Sequence, residues 1–325
     1  VLERAKIAED LLANLAGMFG ARPGGLGLAV ILVGALLAAS TGIVGATVVT
    51  MGVLALPTML RAGYQPQLAA GTICATGTLG QIIPPSIALV LLGDTMSSAY
   101  QQAQLKMNIV NTQTVSVGDL FVGAIVPGIV LVFLYLAYVL LRATVQPSSA
   151  PPATVEETDM RSVVTAVLPP LGRIGLVLGS ILVGAAPPTE AAGVGAVGAL
   201  LLALSRGALS LPVLQDISQS TLFTTSMVFL ILIGAALFSL VFRGFGGDTM
   251  IESFFDGLGG GPHTALLVVM LVMFLLGFIL DFIEITFVVV PVVGPILLAM
   301  GFDPVWLGIM TVSYTHLTLP TTPYV

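Results

Sequence analysis

Gly63-Tyr64-Gln65-Pro66, preceded by Pro57, is answered 238 positions later by Gly301-Phe302-Asp303-Pro304, preceded by Pro295. Each copy closes a long apolar run that small or polar residues interrupt. These are Ser40-Thr41-Gly42 in the first run, Asp281 and Glu284 in the second. A chain that repeats itself around interrupted hydrophobic segments has the pattern of a secondary transporter, with its site where broken helices of the two halves meet.

Composition agrees with that reading. Charged residues make up 8% of the 325 and hydrophobic residues 57%, and the mean hydropathy is +1.09. An ordinary soluble domain carries roughly 25% charge, so lipid is the solvent for most of this chain. Thirty-seven glycines and twenty prolines are tolerable in membrane helices, where neighbours can satisfy the freed backbone groups. A net charge of −6 without a basic cluster argues against nucleic-acid binding. The single Cys74 cannot form an internal disulfide and says nothing of redox compartment.

Residues 1–24 place Leu11, Leu12, Leu15 and Phe19 beside Glu9 and Asp10, which predicts an amphipathic interfacial helix, or one packed on another subunit. A first repeat spans 25–143. Its residues 26–60 would make a straight helix of about 52 Å against about 30 Å of hydrocarbon, so they are expected to fold as a re-entrant hairpin split at Ser40-Thr41-Gly42. Residues 67–93 are interrupted by Gly77-Thr78-Leu79-Gly80-Gln81-Ile82-Ile83-Pro84-Pro85-Ser86. Tandem prolines remove two donors and clash with the preceding turn, so this span is expected to be broken, with an unwound centre. A polar loop at 95–117 and a clean span at 120–141 follow.

Residues 144–165 read as a flexible linker rich in Pro and Ser. The second repeat, 166–312, has apolar segments at 166–186 and 190–204, with Thr189 expected to cap a helix beside Glu190. A span at 220–242, a glycine-rich loop at 244–261 and a hairpin at about 264–300 complete it. The first residues, Val1-Leu2-Glu3-Arg4, have no initiator Met and read as the middle of a longer protein. Residues 313–325 are polar and Thr-rich and read as a non-native tail, too polar after Val312 for a lipid-facing helix.

Ionisable groups inside apolar segments are functional candidates by default. Asp281 and Glu284, three apart, share a helix face; the bland alternative is a hairpin tip reaching interfacial water. Na⁺ is a hard cation, so the hydroxyls and carbonyls of Ser40, Thr41, Gly42, Thr76, Gly77 and Thr78 are suitable ligands, with Asp281 in a second cation site. Ser40, Thr41, Thr78, Pro84, Pro85 and Ser86 are the substrate-binding candidates. For any one hydroxyl the competing role is glue between membrane helices. Arg61, Arg173, Arg206 and Arg243 read as interfacial anchors. No HExxH helix, GxGD turn, GxSxG elbow or phosphate loop is present, so enzyme readings fare poorly and no cofactor is expected.

The break at 77–86, Pro188-Thr189-Glu190-Ala191-Ala192, Leu280-Asp281-Phe282 and Gly301-Phe302-Asp303-Pro304-Val305-Trp306 together resemble the large membrane subunit of tripartite ATP-independent periplasmic (TRAP) transporters. The likeness runs in order from about residue 2 to 312. It implies an all-α, inverted-repeat fold of elevator type in the bacterial inner membrane. It also implies a multi-pass subunit of a Na⁺-coupled importer of organic acids such as carboxylates. A small membrane subunit and a periplasmic binding protein would be its partners. The family continues past the second repeat into another proline-rich break, echoed here only by Pro323; without that segment the chain is expected not to transport. A stand-alone ion-coupled anion transporter and a non-transporting membrane scaffold are the alternatives.

Overall fold

The computed structural model describes residues 7–42, 44–153, 159–205, 207, 209–280 and 282–318. The regular elements among them are helical: α1 (Ile7–Phe19), α2 (Gly25–Thr41), α3 (Val44–Arg61), α4 (Pro66–Ile82), α5 (Ile87–Lys106), α6 (Val117–Val145), α7 (Met160–Leu182), α8 (Pro188–Ser205), α9 (Leu211–Gly244), α10 (Gly247–Gly257), α11 (Pro262–Leu276), α12 (Phe282–Ala299) and α13 (Pro304–Thr318). Five are long and apolar enough to cross a membrane, namely α6, α7, α8, α9 and α12, and the bent pairs α4–α5 and α10–α11 qualify when each is taken together. Two compact units emerge, Val1–Ile87 with Ala124–Ile217, and Ala88–Gly123 with Ser218–Val325.

Small residues build the first unit. A Cβ added to Gly34 of α2 would stand 1.9 Å from Cγ2 of Thr76 on α4, and one added to Gly77 would stand 2.2 Å from Cγ2 of Val48 on α3. Without those side chains the three backbones approach closely enough to pack without a large apolar filler. Met51 reaches within 3.9 Å of the Gly34 position, so α3 folds back along α2. The turn comes at Gly42, whose left-handed φ of 66° ends α2 while its N–H donates to the carbonyl of Ala38, as a helix C-terminal cap does. The buried stripe of α1 (Leu11, Leu12, Leu15, Ala16) is covered by α2 and α7 of the same chain.

The repeat is visible in backbone geometry. Gly63 and Gly301 both adopt positive φ, 86° and 96°; Pro66 and Pro304 each open the next helix, and Pro57 and Pro295 each lie inside the preceding one. Around the second turn, α11 packs on α12 through Val269, Met270 and Met273 facing Val290 and Leu297. The stretch Ile285–Val289 of α12 is wound as a π-helix.

Several expectations need correction. The polar stretch from 95 to 106 is helical, because Leu89, Leu92, Met96, Ala99 and Ala103 form a buried stripe at helical spacing and the glutamines occupy the other faces. Within the glycine-rich region 244–261 lies α10, tied to α5 by a Lys106–Glu252 ion pair. Residues 77–82 are not unwound: α4 runs to Ile82 and only 83–86, with the cis Pro84–Pro85 bond, interrupt the path. Much of the proposed linker is held. Gln65 donates to Ser149, Gly24 to Ala150 and Ala153 to Gly20, and Ser149 and Ala150 are fully buried. Pro188 rather than Thr189 opens α8, and α13 continues through Thr318, past the residue at which the polar tail was expected to begin.

Candidate cation and substrate site

The contacts of α2 with α4 advance in step. Gly34 meets Thr76, and Ala38 meets Gly80, whose added Cβ would lie 3.1 Å from the Ala38 carbonyl oxygen. The two helices therefore run parallel, and their C-terminal ends arrive together at the Gly42 turn and the 83–86 break. A Cβ on Gly42 would come within 3.0 Å of Cγ1 of Ile87 and 3.3 Å of its backbone nitrogen. Each helix C-terminus carries about half a negative charge. Two such ends side by side repel unless a cation or a donor sits between them.

The hydroxyl-bearing candidates are spread along α4 and the break that follows it, with Thr76 against Gly34 of α2 and Thr78 against Tyr135 of α6. Thr76 is fully buried and its Oγ1 donates to the Thr72 carbonyl at 2.6 Å. Thr78 Oγ1 donates to the Ala75 carbonyl at 2.7 Å and lies 3.3 Å from the hydroxyl of Tyr135 on α6. Ser86, also buried, donates from Oγ to the Gln81 carbonyl at 2.6 Å. A hydroxyl that spends its proton on its own helix still presents lone pairs to a cation. Gly77 serves close packing against Val48, which leaves only its backbone for a ligand role. Ser40 and Thr41 form the last turn of α2, at the same corner, and Pro84 and Pro85 form the break itself.

Sequence reasoning passed over three further polar residues, two in the first unit and one in the second. The side-chain oxygen of Gln81 is buried without a hydrogen-bond partner; its signal was being the sole amide within the 77–86 break. Tyr135 stood in an unremarkable apolar span and gave no signal. In the second unit Thr286, fully buried within the π-helical turn, has an unpartnered Oγ1. A buried polar atom left unpaired costs about 1–3 kcal/mol, and π-helical turns frequently mark functional positions. Glu284 lies one helical step before this turn, and Asp281 falls outside the described residues. No cluster of three or more His, Cys, Asp or Glu that could hold a metal exists among the described residues.

An internally duplicated, all-helical membrane protein with helix breaks at matching positions is the class these features define. The family model for the tripartite ATP-independent periplasmic transporter, DctM component, matches residues 1–324, and the chain belongs to that family. It is 33% identical over 305 residues to the C4-dicarboxylate TRAP transporter large permease protein DctM of Pseudomonas aeruginosa, covering 92% of this chain and 66% of that protein. The Rhodobacter capsulatus protein of the same name is 30% identical over 315 residues, 96% of this chain and 70% of its own length. An ectoine/5-hydroxyectoine TRAP transporter large permease protein from Ruegeria pomeroyi is 27% identical over 325 residues, 100% of this chain and 72% of its own. The chain is thus a multi-pass membrane protein of the large-permease kind, spanning about two thirds of the length of these relatives. Its relatives are transporter permeases rather than enzymes.

Proposed function

We propose that the chain is the membrane-embedded subunit of a Na⁺-coupled importer of small organic acids in a bacterial inner membrane. It would work with a small membrane subunit and a periplasmic binding protein. The observation that carries this is the parallel approach of the α2 and α4 C-termini at the Gly42 turn. Two negative helix ends side by side favour a cation, and the buried hydroxyls of Thr76, Thr78 and Ser86, on α4 and at its break, are hard oxygen donors that support this reading. Ser40, Thr41, Gly42, Thr76, Gly77 and Thr78 supply the first Na⁺ site, and Asp281 with the π-helical turn of α12 a second. Ser40, Thr41, Thr78, Pro84, Pro85 and Ser86 are the residues assigned to the substrate in this reading.

In this reading the two helical hairpins are re-entrant, which the short α2, 17 residues or about 25 Å, supports for the first. They carry the site across the membrane in an elevator-type movement. Relatives sharing this helical sequence bear the names of different substrates, C4-dicarboxylates and ectoines, which fits selectivity set largely by the binding protein.

Reconstitution of the full-length permease with its small subunit in proteoliposomes tests this. Uptake of a radiolabelled dicarboxylate should require both an inward Na⁺ gradient and added binding protein. Uptake without binding protein would favour a stand-alone transporter, and no uptake under any gradient a scaffold.

A further inference from the structure

The first unit contains a cavity at the other end of α4, between its N-terminal half and the C-terminal half of α6. Its volume is about 450 Å³, within the range of small-molecule sites. Its buried lining is mainly apolar, with Ile31, Leu68 and Val139 beside Thr72, whose hydroxyl donates to the Leu68 carbonyl, while Gln67 and Tyr138 stand exposed at its edge. Arg142 is the sole charged residue lining it. The Arg142 Nε is buried and unpartnered, and no carboxylate pairs with this guanidinium among the described residues. Arg61 differs: it is exposed and hydrogen-bonds its own helix through the Pro57 carbonyl and the Thr58 hydroxyl.

Depth along α6 tells what kind of anion fits. Arg142 lies three residues from the end of this 29-residue span, at the level of a lipid headgroup. Tyr135, also in the lining, is seven residues further in, about 10 Å. The neighbouring α6 residues Phe133, Leu134 and Leu141 are exposed and face hydrocarbon. A soluble anion would satisfy Arg142 and leave the apolar lining empty. A molecule with an anionic head and an apolar body fills both.

We propose that this cavity is a binding site for an anionic phospholipid, its phosphodiester held by Arg142 and its acyl chain laid along Tyr135 and Val139. The inference is independent of the transport reading, since it needs only that α6 spans the membrane.

Native mass spectrometry of the full-length permease in mixed phosphatidylglycerol and phosphatidylcholine tests it. Wild type should retain phosphatidylglycerol preferentially. Arg142→Gln should reduce that preference about fivefold, the worth of one basic residue near an anionic leaflet, while Arg61→Gln leaves it unchanged. A photoactivatable phosphatidylglycerol should label wild type within 65–75 or 135–142, a readout that stands even where Arg142→Gln does not fold. Unchanged preference in a folded Arg142→Gln, or labelling confined to other segments, would overturn the proposal. So would displacement of the lipid by millimolar inorganic phosphate or succinate, which would assign the cavity to a soluble anion.

Discussion

The hydroxyl oxygens of Thr78 and Tyr135 lie 3.3 Å apart, joining the last turns of α4 to the middle of α6. Because Thr78 already donates to the Ala75 carbonyl, Tyr135 is the donor in this contact. The pair thereby fixes where the Thr78 lone pairs point.

Thr78→Val preserves shape and removes one oxygen. The Na⁺ concentration for half-maximal uptake should rise, by about fivefold for a lost contact of roughly 1 kcal/mol. Tyr135→Phe should produce a smaller rise. The double variant should resemble Thr78→Val alone, because the two groups act through one oxygen. Unchanged Na⁺ dependence across Ser40→Ala, Thr41→Val and Thr78→Val would remove this site from the mechanism.

Gly34→Ala places a methyl 1.9 Å from Cγ2 of Thr76, so α2 and α4 must separate. Overpacking of this kind costs about 1–3 kcal/mol, and the detergent-solubilised protein should melt earlier. Gly52→Ala, inside α3 and meeting nothing within 4 Å, should match wild type or exceed it by up to about 1 kcal/mol through helix propensity. Equal melting of the two variants would mean the close approach does not exist.

Gly301→Ala tests the repeat at its turn. Nothing crowds an added Cβ there, yet φ is +96°, so the cost of about 1 kcal/mol is purely conformational. Gly63→Ala should cost more, since its Cβ would also come within 3.2 Å of Pro151. Thermal shifts of the two variants give the comparison.

In the second half, Asp281→Asn should weaken Na⁺ coupling while leaving membrane insertion intact. Thr286→Val removes a buried hydroxyl that has no partner. Its stability without Na⁺ should therefore match or exceed wild type, while the stabilisation conferred by added Na⁺ should shrink. A loss of stability in Na⁺-free buffer, with the Na⁺ effect retained, would show the hydroxyl to be structural.

The duplication, the lipid-facing character and the turns at Gly42, Gly63, Pro84–Pro85 and Gly301 were legible in the chain. Gly63 and Gly301, the tandem Pro84–Pro85 and the apolar run lengths act through local geometry and transfer free energy, which depend on a residue and its near neighbours. Composition misled where it was read without periodicity: the glutamines of α5 suggested a loop, but Leu89, Leu92, Met96, Ala99 and Ala103 bury one face of a helix. Only the tertiary structure decided that residues 77–82 stay helical, their glycines used to bring Val48 and Ala38 close, and that Ser149 and Ala150 are buried and held by the backbone N–H groups of Gln65 and Gly24. It alone set the C-termini of α2 and α4 side by side, brought Tyr135 to Thr78, and left Gln81, Arg142 and Thr286 with buried unpaired atoms. Whether a polar atom is satisfied depends on groups distant in sequence, and no local pattern encodes which of them arrive within 3 Å or so of it.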